Sequence, residues 1–293
     1  MAQSAPPAAR RGQAAATMRR RVLTAPPVWR ELLLVVLFYT GYTLTRIVLV
    51  QDGTGPAFAH ADDILRIERY LGLDVELHLN QTLLAVPWLA RTANIFYATM
   101  HFIVTLGVVV WLYRYRPQHY RWLRASIMIA TGVALIGFWL YPLAPPRFLH
   151  SEGFVDPVTA LHSLGLYASD ASGSLTNQYA AMPSMHAGWA LWCGIILVRL
   201  ASQPWAKVLG VLYPATTVFV ILSTANHYVL DAVAGMALIS GALWVSWLLY
   251  MRCPATVLIA RARVAHRLAQ RAGRDTGRSG AGSPAGPCRA GRS

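Results

Sequence analysis

The sequence predicts an all-α protein that crosses the membrane six times, with two short interfacial helices between the first two crossings. Three observations lead there. Of the 293 residues, 55% are hydrophobic and only 13% are charged. With a mean hydropathy of +0.40, the chain is more apolar than a soluble one of this length. The apolar residues are gathered into runs of about bilayer length. The net charge of +14 comes almost entirely from arginine, with Lys207 the single lysine, and it lies in short blocks beside alternate apolar runs. That is the arrangement membrane orientation produces.

Residues 1–27 are rich in Ala, Pro and Arg without periodicity and read as a disordered basic arm. No apolar run with a small-residue cleavage site follows these arginines, so the first run, Val28–Val50, reads as a retained span. Asp62 and Asp63 then precede Ile64, Ile67 and Leu71, an acidic start to a helical stripe closed by Gly72. A second stripe holds Val75, Leu79 and Leu83. Both are too short to span and are read as interfacial, with Glu68 and Glu76 expected to be solvated. The further spans are Asn94–Tyr113, Ala125–Tyr141, Ser184–Leu200, Trp205–Leu222 and His227–Tyr250. A long Ser-, Gly- and Asp-containing connection, 142–183, separates the third from the fourth, in the manner of a lid or binding loop. The membrane domain is thus 28–252, followed by a basic tail over 253–293. Cys193, Cys253 and Cys288 are scattered, with neither metal-ligand spacing nor a disulfide framework.

Charge sets the orientation. The N-terminal arm, the connection carrying Arg114, Arg116, Arg121 and Arg124, the connection with Arg199 and Lys207, and the tail are all basic. The first connection is acidic on balance, and the third has Glu152, Asp156 and Asp170 against Arg147. Both termini are therefore expected in the cytoplasm. Nucleic acid is an improbable partner for charge so distributed, with no folded module to present it.

Under that topology Arg147, His186, His227 and Asp231 fall at one depth on the outer face, from three different helices. Ionisable residues at such boundaries mark functional sites by default. His227 and Asp231 are one helical turn apart. The carboxylate can accept from one ring nitrogen and leave the other basic, preparing a nucleophile. His186 stands at a helix N-terminus behind Pro183 and Ser184, where free N–H groups favour an anion; its imidazole can act as acid and base. Arg147 offers a forked donor suited to phosphate. Together these describe phosphoryl transfer, with no zinc-type ligand set and no cofactor. Blander roles stand beside each: a buried pair pinning two helices for His227 and Asp231, a cap for His186 and Ser184, an interfacial anchor for Arg147. His101, inside the second span, reads first as a helix–helix hydrogen bond and second as a substrate-pocket residue. Asn226 and Tyr228 flank His227 as possible pocket residues, although a cap and an aromatic-belt residue would account for them.

At these positions the sequence resembles a known family. Tyr141-Pro142-Leu143-Ala144-Pro145-Pro146-Arg147, Pro183-Ser184-Met185-His186 and His227-Tyr228-Val229-Leu230-Asp231 look like the three signature motifs of the PAP2 (type 2 phosphatidic acid phosphatase) superfamily. The Pro-Pro-Arg, Pro-Ser-Met-His and Asn-His-Tyr forms are most similar to its membrane branch of inositol phosphoryltransferases. The resemblance runs from about the second span to the sixth. It implies a six-helix fold in which His227 forms a phosphohistidine, Asp231 orients it, His186 protonates the leaving group and Arg147 binds phosphate. Ser184, by its place at the helix start, reads equally as a cap and as a phosphate ligand. Two positions depart from the pattern. The first motif usually carries a lysine where this chain has Leu140, and the third an arginine where it has Ile221. A phosphodiester monoanion needs less compensating charge than a monoester dianion, which favours a diester or pyrophosphate-linked lipid. The expectation is a membrane phosphatase or headgroup transferase acting on a lipid phosphate, with water or an alcohol such as inositol as acceptor. The alternative from another class is a transporter or scaffold whose polar path these residues line.

Overall fold

Apolar length and proline placement set most of the architecture. In the computed structural model the described residues are 26–49, 55–161 and 179–252. The arm and tail expected at the two ends, and the middle of the 142–183 loop with Asp170, lie outside them. Helix α1 is Val28–Leu49, α2 is Gly55–Leu71 and α3 is Glu76–Leu84. Next come α4, Pro87–Tyr115, and α5, Pro117–Leu140. After two 3-10 turns, Pro146–Phe148 and His150–Glu152, the short α6 covers Pro157–Ala160. Helices α7, Met185–Leu200, α8, Pro204–Ser223, and α9, Val229–Arg252, complete the order. Proline opens α4, α5 and α8, where its missing N–H costs nothing. Thr24–Trp247 forms one compact unit; of the second, Met1–Leu23 with Leu248–Ser293, only the last turn of α9 is described.

Four described helices are long and apolar enough to cross a membrane: α4, α5, α8 and α9. Six spans were expected. Helix α7 is apolar but has only 16 residues, against about 20 for a bilayer crossing. Helix α1 has 22 residues, and its side chains are described only in part. Helix α4, with 29 residues, is about 43 Å long. That exceeds a hydrocarbon core of about 30 Å, so α4 is long enough to cross with a tilt or to extend beyond it.

Helix α7 is built of small and apolar residues and buries Ala187, Gly188, Ala190, Trp192, Cys193, Gly194 and Ile196 among its neighbours. Glycines let the backbones close up. A Cβ on Gly188 would meet the Gly235 carbonyl oxygen at 2.9 Å, and one on Gly235 would overlap the carbonyl of Ser184. Likewise a Cβ on Gly194 would overlap the Gly210 carbonyl of α8. Trp192 is fully buried, and its Nε1–H donates to Leu123 O at 3.2 Å and Ser126 Oγ at 3.0 Å on α5. At the basic end, Arg116 Nη2 donates to Leu200 O at 3.1 Å. There Glu31 of α1 accepts from Tyr120 and Arg124 of α5.

Helices α2 and α3 depart from the expected pattern. Helix α2 begins at Gly55, so Asp62 and Asp63 are interior rather than capping residues. Its buried face is Ala57, Ala61, Ile64, Leu65 and Glu68, while Ile67 and Leu71 are 46% and 54% exposed. Helix α3 likewise buries Glu76, Asn80 and Leu83 and leaves Val75 exposed. The expectation of solvated glutamates is corrected: Glu68 and Glu76 are both fully buried. A carboxylate can sit on the inward face when backbone N–H groups await it there.

Candidate active site

The end of α8 decides where His227 goes. The Ala225 N–H donates to Leu222 O at 2.9 Å and the Asn226 N–H to Ile221 O at 3.0 Å, the paired bonds of a Schellman cap. The residue that turns left-handed there is Ala225, with φ 52°, at a position where glycine is the usual occupant. The His227 N–H also reaches Ile221 O, at 3.2 Å. The turn hands the chain directly into α9.

His227 is 4% exposed and its ring is held at one nitrogen. Nδ1 lies 3.0 Å from Ala181 O and 3.4 Å from Asp231 Oδ2. Both neighbours can only accept, so Nδ1 carries the proton and Nε2 keeps its lone pair. Nε2 faces His186 Nδ1 at 3.4 Å. His186 must then be the donor, and its own Nε2 is buried without a partner.

Asp231 organises the junction. Its Oδ2 accepts the Tyr228 N–H at 3.0 Å, its main-chain carbonyl accepts the Ser184 N–H at 3.0 Å, and its side chain is fully buried. Ser184 caps α7 by accepting the Ala187 N–H at 3.4 Å. The start of α7 is thereby fastened to the start of α9, which brings His186 to His227.

Arg147 is 5% exposed, so it is not a snorkelling anchor. Its backbone N–H donates to Ala225 O at 2.8 Å, fixing the Pro-Pro-Arg turn to the residue two before His227. Its guanidinium lies over Phe148, with Nε 3.9 Å from Asp156 Oδ2.

His101 takes neither part of its first expected role. Its Nδ1 faces Tyr97 O of its own helix at 3.1 Å, not a neighbouring helix. Its ring meets His186 edge-on, with centroids 4.2 Å apart. Tyr97, which sequence reasoning missed, stacks on His186 at 4.3 Å. The available signal was its spacing, four residues before His101 on one helix face. Phe96, Tyr97, His101, His186, Tyr213 and Ile221 border one narrow cleft.

The two residues that flank His227 both point inward. Tyr228 is fully buried, and its hydroxyl donates to Ala144 O at 3.1 Å; it packs in the core with Ala57, Ala61, Leu65 and Leu143 rather than lining a pocket or a membrane belt. Asn226 is 5% exposed, and its amide is committed to Thr224 Oγ1 at 2.8 Å. The Asn226 side chain shapes the turn, in keeping with the cap expected there, and that of Tyr228 ties the turn to Ala144. At the two positions where cations were missed, Leu140 is 66% exposed and Ile221 is 1% exposed.

Chemically, this arrangement presents one unprotonated imidazole nitrogen, whose lone pair faces the N–H of a second imidazole. It is capable of nucleophilic attack at one nitrogen and proton delivery from the other. A family model described as the PAP2 superfamily matches residues 62–245, a stretch that contains Tyr97, His101, Arg147, His186, His227 and Asp231. No curated protein and no solved structure matches the chain.

Proposed function

Since the chain belongs to the PAP2 superfamily, we propose that it is a membrane phosphoryl-transfer enzyme acting on a lipid phosphate through a phosphohistidine. Family membership and the apolar helices fit a membrane protein of phosphatase type. The observation that carries the finer reading is the polarised histidine pair, with His227 Nδ1 held by two acceptors and Nε2 facing His186 Nδ1 at 3.4 Å.

In this reading the phosphoryl group enters between the two rings. His227 Nε2 attacks phosphorus, and the bond from phosphorus to the leaving oxygen breaks. His186 Nδ1 gives its proton to that oxygen. Asp231 and the Ala181 carbonyl stabilise the positive charge that forms on the His227 ring. In the second step a water or alcohol hydroxyl loses its proton to His186 and attacks phosphorus, releasing His227. Arg147 and the N–H groups at the start of α7, beside Ser184, hold the non-bridging oxygens. Tyr97 and His101 keep the His186 ring in its plane.

The site is poor in cations. Leu140 and Ile221 stand where two would be expected, and Arg147 is partly offset by Asp156. This favours a phosphate of lower charge, a diester or pyrophosphate-linked lipid, and with it headgroup transfer of the inositol-phosphate type. In the same reading α1 and α7 complete six spans, both termini are cytoplasmic and the reaction takes place at the outer face.

The test is direct. Purified protein is offered labelled lipid phosphomonoesters and diesters, with and without alcohols such as inositol, and the products are identified. Diester turnover and a loss of at least about 10^4-fold in His227→Ala are expected. Unaltered turnover in folded His227→Ala would remove the phosphohistidine, and cleavage of simple monoesters alone would remove the diester preference.

A further inference from the structure

The buried glutamates of α2 and α3 have partners far along the chain. Glu68 Oε1 accepts the Leu230 N–H at 2.7 Å, and Glu76 Oε1 accepts the Val229 N–H at 2.7 Å. With Asp231 Oδ2 on the Tyr228 N–H, three carboxyl groups satisfy three consecutive N–H groups, those immediately after His227. These are the amides a helix leaves unpaired at its start. Two of the three carboxyls arrive from α2 and α3.

The second oxygens pose a problem of their own. Glu68 Oε2 and Glu76 Oε2 are buried and have no hydrogen-bond partner, although the two carboxyls are close enough to interact. Two carboxylates have no donor to offer one another. Two adjacent buried negative charges are also costly, and Asp231 adds a third nearby. A single proton relieves both difficulties, because a protonated carboxyl can donate to its neighbour. Burial, then the adjacent carboxyl, pushes Glu68 above the ordinary carboxylate range, and burial does the same to Glu76. No group of three or more His, Cys, Asp or Glu among the described residues is arranged to hold a metal ion.

We propose that Glu68 and Glu76 share one proton and together act as positioning residues for His227, clamping the first turn of α9 from outside the helix. The inference rests on the phosphohistidine reading for its kinetic consequence, while the shared proton stands apart from it. Because the clamp grips residues two and three positions after the nucleophile, its loss lets the imidazole drift rather than weakening substrate binding. It acts on kcat and leaves KM alone.

A cavity of about 200 Å³, lined by Glu76 with Arg69, Asp74, His78 and Gln81, adjoins the pair on the Glu76 side. The other titratable groups that interact with the pair are Asp231 and Tyr228 at the start of α9. Arg69 is engaged by Glu152 at 2.6 Å and does not neutralise the pair. As pH rises through the loss of the shared proton, the carboxyls repel and the clamp opens, so activity falls on the alkaline side.

Glutamine at either position copies the protonated acid, accepting the backbone N–H through its oxygen and donating through its amide at any pH. Steady-state kinetics on lipid substrate are measured for wild type, E68A, E76A, E68Q and E76Q, with His227→Ala as reference. The expected results are a kcat loss of about 100-fold in each alanine variant at unchanged KM, near wild-type kcat in the glutamine variants, and an alkaline limb displaced upwards in E68Q. In parallel, the infrared carbonyl band of a protonated carboxylic acid, shifted in D2O, is expected in wild type and absent from E68Q/E76Q. Wild-type kcat in E68A and E76A, while His227→Ala is dead, overturns the clamp. The same holds if folded E68Q is as inactive as E68A. An absent carboxylic acid band, or an E68Q alkaline limb identical to wild type, overturns the shared proton. Activity surviving in His227→Ala counts against the phosphohistidine instead, and leaves the infrared result to judge the pair.

Discussion

In the proposed reaction His227 can act as a nucleophile in only one tautomer, and two acceptors rather than one favour that tautomer. The Ala181 carbonyl, at 3.0 Å, is nearer Nδ1 than Asp231 Oδ2, at 3.4 Å. The aspartate is therefore not alone in orienting the ring. It adds the negative charge that a carbonyl lacks, and it also holds the Tyr228 N–H. Asp231→Asn should keep the fold, because Ala181 still fixes Nδ1, yet lose the charge opposite the imidazolium. The expected result is a kcat lower by about 10–100-fold at similar KM, read by steady-state kinetics; a kcat equal to wild type would reduce Asp231 to a helix cap. The sequence disclosed His227 and Asp231 because a helical pair at i and i+4 is a local pattern. It did not disclose Ala181, since a main-chain carbonyl carries no residue signature. Nor did it disclose Tyr97, because an aromatic ring within an apolar span carries no signature of stacking on a histidine from another helix.

Among the elements, α7 and α9 are the pair on which the site depends. Their backbones approach so closely at Ser184 and Gly235 that a methyl group at Gly235 would overlap the Ser184 carbonyl. The same Ser184 is tied by its N–H to Asp231 O at 3.0 Å. Gly235→Ala should therefore separate the two histidines and lower activity together with the melting temperature. Gly241→Ala, in the same helix with nothing within 4 Å, should gain about 0.5–1 kcal/mol from helix propensity and leave turnover alone. Thermal unfolding in detergent beside an activity assay checks both, and equal behaviour of the two variants would show that the contact does not matter. Helix extents were largely legible, because the cost of placing polar groups in hydrocarbon is read residue by residue. The inward faces of α2 and α3 were not, because a carboxyl's preference for the interior depended on N–H groups more than 150 positions away.

For the whole molecule, the described basic residues of the α4–α5 connection and the site lie at opposite ends of the bundle. Arg116 and Arg124 are among the ties at one end, and His186, His227 and Arg147 lie at the other. If the basic end is cytoplasmic, an impermeant maleimide should label Ser151→Cys on intact cells and Gln118→Cys only after permeabilisation, with Cys253 and Cys288 replaced by serine. The reverse pattern would invert the protein and place its chemistry inside. The clamp on α9 has a further consequence for how the molecule is made. Glu68 and Glu76 emerge early in synthesis, and their backbone donors follow 162 and 153 residues later. Closing contacts over such separations is slow. Until the ribosome has delivered the last helix, the two acids have no partner, and a truncated chain never acquires one. The turn that carries His227 can therefore be clamped only after α9 has been made, and a chain that stops short leaves both acids unsatisfied.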